Sequence, residues 1–143
     1  MKIRVKKLSE HAILPTYGTE SAAGADLYAA EGVCIAPGET VLVHTHIAME
    51  IPEGYGGFVY ARSGLATKKG LAPANKVGVI DADYRGEIMV ALYNQSACER
   101  TVEEGERIAQ LVVAPVLHAA FEESEMLSDS ARGTGGFGST GSK

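Results

Sequence analysis

Apolar and polar residues alternate along most of this chain with a period of two, the spacing of a half-buried strand. Ile3 and Val5 point one way, Arg4 and Lys6 the other. Between Thr40 and Ile51 one face collects Val41, Val43, Thr45, Ile47, Met49 and Ile51. The other collects Leu42, His44, His46, Ala48 and Glu50, so the segment predicts one long strand. Pro52, Gly54, Gly56 and Gly57 punctuate it, and Phe58–Ala61 reads as the next strand. Lys76–Ile80 and Glu87–Asn94 predict two more, joined by Asp81–Gly86. A loop of that length containing Asp and Gly predicts a β-hairpin. Arg107–Val116 is a further strand, entered through the turn-like Glu103-Glu104-Gly105-Glu106.

Helical spacing is scarce. The best candidate is Ser63–Lys69, with Ser63 placed to cap and Gly70 placed to terminate. Two turns depend on tertiary packing for their stability. Many short strands separated by turns predict an all-β sandwich or barrel. After His118 the apolar density falls, and five of the twelve residues from Arg132 onward are glycine. Residues 1–118 therefore read as the β domain and 119–143 as an arm. Such an arm buries too little surface to offset its ordering entropy by itself. It is either a disordered end or a segment that orders over a ligand or a neighbouring subunit.

Composition narrows the function. A chain of 143 residues is one domain. With 13 basic and 18 acidic residues the formal charge is −5, which argues against nonspecific duplex binding by phosphate neutralisation. A small phosphorylated ligand held by a few arginines remains compatible with it. Glycine is frequent at 17 residues, aromatics are only 6%, and tryptophan is absent. The interior must then be aliphatic and alanine-rich, with tight turns or close backbone approaches elsewhere. Cys34 and Cys98 lie far apart without a CxxC partner, so they read as two buried or half-buried thiols. Met1–Val5 shows no apolar signal region. Ile108–His118 is too short to span a bilayer and is interrupted by Gln110 and Pro115. A cytoplasmic setting without membrane or nucleic-acid partners is the expectation.

Several residues stand out chemically. Gly133-Thr134-Gly135-Gly136-Phe137-Gly138-Ser139-Thr140 offers bare amides and hydroxyls to an anion. Ser139 stands where a Walker loop needs lysine, and no strand precedes it, so a nucleotide lid with Arg132 as cation and Phe137 as ring fits better. Arg62-Ser63-Gly64 opens the helix candidate, where free N–H groups favour anions. Asp26 interrupts a run of small residues, and Asp81 follows Val79-Ile80 at the mouth of a strand. A carboxylate there is either a general base for water or an Asx-type turn former, and the residues alone leave both open. Gln110 is polar within an apolar strand, so it either finds an internal partner or lines a site. His44 and His46 could place two ligands on one metal. No third ligand adjoins them in sequence, so they read as surface histidines.

Taken together, five segments resemble the motifs of the trimeric deoxyuridine triphosphate nucleotidohydrolases, the dUTPases. They are Ala23–Tyr28, Ala61–Ala66, Gly78–Glu87, Gly105–Leu111 and Arg132–Gly141, in order over nearly the whole chain. One departure is Ala61, where the family often carries proline. The resemblance implies a jelly-roll-like β-barrel with one short helix and a flexible C-terminal arm. It implies a homotrimer with sites between subunits, each closed by an arm. The implied reaction is dUTP plus water giving dUMP and pyrophosphate with magnesium, which keeps uracil out of DNA and supplies dUMP for thymidylate synthesis. Asp81 would activate the water, and Asp26 and Gln110 would meet magnesium through water. Arg62, Ser63 and Gly64 would hold the phosphate chain, with Arg132, Gly138 and Ser139 at its distal end. Phe137 would stack on uracil. Asn75, Val79, Ile80 and Met89 would line the base pocket, and Tyr84 would pack beneath the deoxyribose. The alternatives are a related dCTP deaminase or bifunctional enzyme, or a non-catalytic nucleotide-sensing module of the same fold.

Overall fold

A computed structural model describes residues 1–137. The strands in chain order are β1 (Arg4–Lys7), β2 (Thr16–Tyr17), β3 (Ala25–Tyr28), β4 (Val33–Ile35), β5 (Thr40–His44) and β6 (Ile47–Glu50). Then come β7 (Tyr55–Tyr60), helix α1 (Ser63–Lys69), β8 (Leu71–Pro73) and β9 (Gly78–Ile80). β10 (Met89–Asn94), β11 (Arg100–Val102) and β12 (Arg107–Pro115) complete the fold. All described pairings are antiparallel. The largest sheet runs β2-β3-β12-β7-β9, and a second runs β5-β10-β8. Two further two-stranded sheets are β1-β6 and β11-β4.

One core unites these sheets. Leu27, Ile35, Val43, Ile47, Val59, Leu71, Ile80, Leu92, Val102 and Ile108 come from ten different strands and pack in one cluster. No aromatic side chain is among the buried hydrophobics, as the composition predicted. Asn94 is fully buried but satisfied: its Nδ2 donates to the Ile35 and Cys98 carbonyls. Its Oδ1 accepts from the Ser96 amide and hydroxyl.

Four expectations need correction. The long strand over Thr40–Ile51 is two strands, because His46 adopts a left-handed φ of 51° and breaks the ladder. The hairpin around Asp81–Gly86 does not form: β9 pairs with β7, whereas β10 pairs with β5 and β8. The two strands therefore belong to different sheets, and β9 is an edge. Ser63 does not cap α1; Arg62 is the N-cap residue, in extended geometry without a side-chain cap. Gly70 does end the helix, with φ 69° and its amide bonded back to the Ala66 and Leu65 carbonyls. Both cysteines are free but exposed rather than buried.

Every residue from Leu117 to Thr134 is exposed, including Phe121, Met126 and Leu127. No helix among the described residues is long and apolar enough to cross a membrane.

Candidate active site

Two groups of side chains stand out, and they occupy different parts of the chain. The first surrounds a cavity of about 270 Å³ beside the β9 edge. Asn75, Val79, Ile80, Asp81, Tyr84 and Met89 all line it. Ile80 is buried and anchors the strand, while Val79 on the other face is exposed. An edge strand leaves N–H and C=O groups without a strand partner, and these can read a planar polar ring placed alongside. Asp81 directly follows the strand, and its carbonyl accepts from the Tyr84 amide at 3.2 Å. No hydrogen bond engages its carboxylate among the described residues, so both oxygens remain available. Asp81 also borders a broad groove of about 1210 Å³, which Lys2, Arg4 and Arg85 line as well. The turn after it is held by Tyr84, whose hydroxyl donates to the Glu87 carbonyl at 2.9 Å. The ring lies so close over Gly86 that a Cβ there would collide with it. Glycine at this position is thus what lets the ring approach the backbone so closely.

The second group forms where β3, β12 and β7 run side by side. Gln110 pairs with Asp26 on one flank and Tyr60 on the other. Its Nε2 donates to the Ala61 carbonyl at 2.8 Å, the internal partner that the sequence required. Asp26 accepts from Arg62 Nε at 2.8 Å on one oxygen and from Arg107 Nη1 at 3.2 Å on the other. Arg62 also donates to the Arg107 carbonyl at 3.2 Å. Asp26 therefore splints two guanidinium groups at the entry to α1. Ser63 and Gly64 lie exposed beside them, with open space over Gly64. Below the splint, Lys69 pairs with Glu106 at 2.5 Å. Burial pushes the Glu106 carboxyl up, but Lys69, the Glu103 amide and Arg62 outweigh it and hold it below the ordinary range.

Sequence reasoning missed Arg107 and Gly24. The β3–β12 register shifts between Arg107 and Ala109, and this irregularity brings Arg107 beside Asp26. Gly24 faces Gln110, and a Cβ there would lie 2.7 Å from Oε1 and 3.1 Å from Cβ of that residue. Gly24→Ala should therefore displace Gln110 and lower kcat more than thermal stability. Steady-state kinetics alongside a melting curve checks this.

The remaining expected residues lie elsewhere. Arg132 and Phe137 are exposed on the arm, with Arg132 Nε donating to the Gly135 carbonyl at 2.7 Å. Gly138 and Ser139 fall outside the described residues. The cavity is lined by none of Asp26, Arg62, Ser63 or Gln110.

The dUTPase family model matches residues 10–141. A deoxyuridine 5'-triphosphate nucleotidohydrolase of Hydrogenobaculum sp. is 54% identical over the full length of both chains. That of Nautilia profundicola is 51% identical over 99% of each. This chain belongs to the dUTPase family. Among solved structures, the dUTPase of Staphylococcus bacteriophage 80alpha with dUpNHpp superposes at a TM-score of 0.92. It shares 32% identity and 98% coverage of both chains. A mutant dUTPase of S. aureus phage phi11, in which a structural Mg(II) ion is coordinated, matches at 0.84 with 27% identity. It covers 90% of this chain and all of that one. These likenesses carry the dUTPase jelly-roll fold across the described residues.

The family suggests magnesium, and the donor set here tests how it could be held. Both Asp26 oxygens already accept from guanidinium groups, so direct ligation would compete with two cations. Each oxygen keeps a lone pair for a water, and Gln110 Oε1 is not spent on its bond to Ala61. A dication that keeps several of its waters fits that arrangement.

Proposed function

We propose that this chain hydrolyses dUTP to dUMP and pyrophosphate at a site completed by further copies of itself, a homotrimer. The observation that carries this is the cavity: five residues expected at the nucleoside end of the substrate converge there, with the Asp81 carboxylate at its rim. The activity follows from family membership and full-length identity to nucleotidohydrolases that act on deoxyuridine 5'-triphosphate. The phage neighbour's complex with dUpNHpp, a dUTP analogue, supports the substrate. The biological role is to keep uracil out of DNA and to supply dUMP for thymidylate synthesis.

The chemistry divides among the two groups and the arm. Uracil lies against the β9 edge, where Asn75, Val79, Ile80 and Met89 bound it and backbone groups read its O4, N3–H and O2. A wall at that depth rejects the thymine methyl by bulk. Tyr84, fixed over Gly86, packs beneath the deoxyribose and leaves no room for a 2′-hydroxyl. Asp81 accepts a proton from the water that attacks the α-phosphorus. The α–β bridging bond breaks, and its electron pair leaves with pyrophosphate. Arg62, held by Asp26, meets the developing phosphate charge with Ser63 and Gly64. Asp26 and Gln110 would hold magnesium through water, and the ion would supply further neutralisation of the triphosphate. Arg132, Gly138 and Ser139 hold the distal phosphates, and Phe137 stacks on the base.

Two features support a trimer. The Asp26–Arg62–Gln110 group does not line the Asp81 cavity of its own chain. The arm carries Leu117, Phe121, Met126 and Leu127 in the open, and such side chains gain stability once a neighbour covers them. A solution mass near three times 15.0 kDa is expected. Pyrophosphate release from dUTP tests the function. Ready release from dUTP with little from UTP or dTTP is the expected result. Ammonia release from dCTP would favour the deaminase alternative, and tight binding of dUTP without release would favour a sensing module. The cytoplasm is the expected setting.

A further inference from the structure

Away from the Asp26–Arg62–Gln110 group, a second set of metal-capable side chains converges. His44 ends β5, His46 follows two residues on, and Glu87 lies two residues before β10. The β5–β10 register sets His44 opposite Met89, which brings Glu87 across to both histidines. One ligand atom from each of the three lies within 4.8 Å of the other two. His44 Nδ1 is 3.0 Å from Glu87 Oε2, and the two imidazole rings are 5.8 Å apart. All three residues are half-buried. The sequence reading lacked the third ligand because Glu87 is forty-odd residues away and arrives only through sheet pairing.

The surroundings are organised as they are around metal ligands, whose orientation is set by outer hydrogen bonds. His46 Nδ1 meets Ser9 Oγ at 2.7 Å, which leaves its Nε2 free. Glu87 Oε1 accepts from the His46 amide at 2.9 Å, which leaves Oε2 turned toward His44. The backbone supports the same reading. His46 sits at φ 51°, in the left-handed region that non-glycine residues adopt uncommonly. The break is pinned where it faces Glu87, because the buried Thr45 hydroxyl donates to the Ile88 carbonyl. A simple His44–Glu87 ion pair would need neither the second imidazole nor that strain.

We propose that His44, His46 and Glu87 bind one zinc-class dication, with a fourth position open to water or an external ligand. Two imidazoles and one carboxylate select such an ion over magnesium, which prefers an all-oxygen shell. Bonds of ~2.0–2.1 Å set tetrahedral ligand atoms about 3.4 Å apart, so the 3.0 Å contact needs only a small opening. On binding, the ion replaces the His44–Glu87 hydrogen bond.

The site is tested without nucleotide, so its failure and that of the dUTP reading are separable. Calorimetric titration of the full chain with zinc chloride should give one ion per chain, and magnesium chloride should not compete. Cobalt(II) should give the intense visible absorption of a low-coordinate site. His44→Gln should weaken zinc binding at least about 100-fold. Ser9→Ala, which removes only the outer contact, should weaken it on the order of 10-fold. His46→Gly should also abolish binding, and it should not unfold the chain, because glycine accepts the positive φ at no cost. Absence of stoichiometric binding, or equal binding by the wild type and a folded His44→Gln, His46→Gly double variant, would overturn the proposal.

Discussion

Replacing Asp81 with asparagine is expected to reduce turnover by about 10²–10⁴-fold, the usual contribution of a positioned general base. The exchange keeps the shape of the side chain and removes the proton acceptor. Asp81 spends no carboxylate hydrogen bond within the described residues, so the fold loses nothing by the change. Affinity for a non-hydrolysable dUTP analogue should stay within a few-fold of wild type. Single-turnover kinetics and equilibrium binding separate the two effects. Near-normal turnover would remove Asp81 from its role, and lost affinity with turnover preserved would make it a binding residue only.

Ending the chain at Ala131 is expected to lower kcat/KM on the order of 100-fold or more, because it removes the cation, the aromatic ring and the glycine-rich amides together. Thermal stability should be nearly unchanged. Among the described residues of the deleted segment, Arg132–Thr134 and Phe137 are exposed and Gly135 and Gly136 half-buried, and none belongs to the core seated on Leu27, Ile35 and Ile108. A melting curve beside the kinetics distinguishes the outcomes. A fall in melting temperature comparable to the loss of a core residue would mean that the arm is structural rather than a closing element.

The fold class was legible because alternation is a direct record of which face is wet. It marked β7, β10 and β12, and it located α1 through the glycine that ends it. It could not show that Thr40–Ile51 breaks at His46, since a reversal of φ leaves the alternation on either side intact. Nor could it show strand partners. β9 and β10 look like hairpin neighbours because the loop between them is short, yet burial of Ile80 against β7 and of Val90 and Leu92 elsewhere sends them to different sheets. Strands of two or three residues, such as β2, β4, β8 and β11, are too short to carry a period.

For the site, the motifs identified the residue types but not their company. Asp81, Tyr84, Asn75 and Met89 line one cavity. The tie between Asp26, Arg62 and Arg107 depends on a register shift in β12 that leaves no mark in composition. That this group does not line the Asp81 cavity is likewise a property of folding, and under the proposed trimer it is what a neighbouring chain would complete.

Mixing two crippled chains tests that account most directly. Full-length Asp81→Asn protein supplies an intact arm, and the wild-type chain ended at Ala131 supplies an intact Asp81. Each alone should be nearly inactive. Unfolded and refolded together, they should release pyrophosphate from dUTP far faster than the sum of the two parents, because mixed trimers contain sites with both parts. A mixture no faster than that sum, from protein shown to assemble, would contradict a site shared between chains.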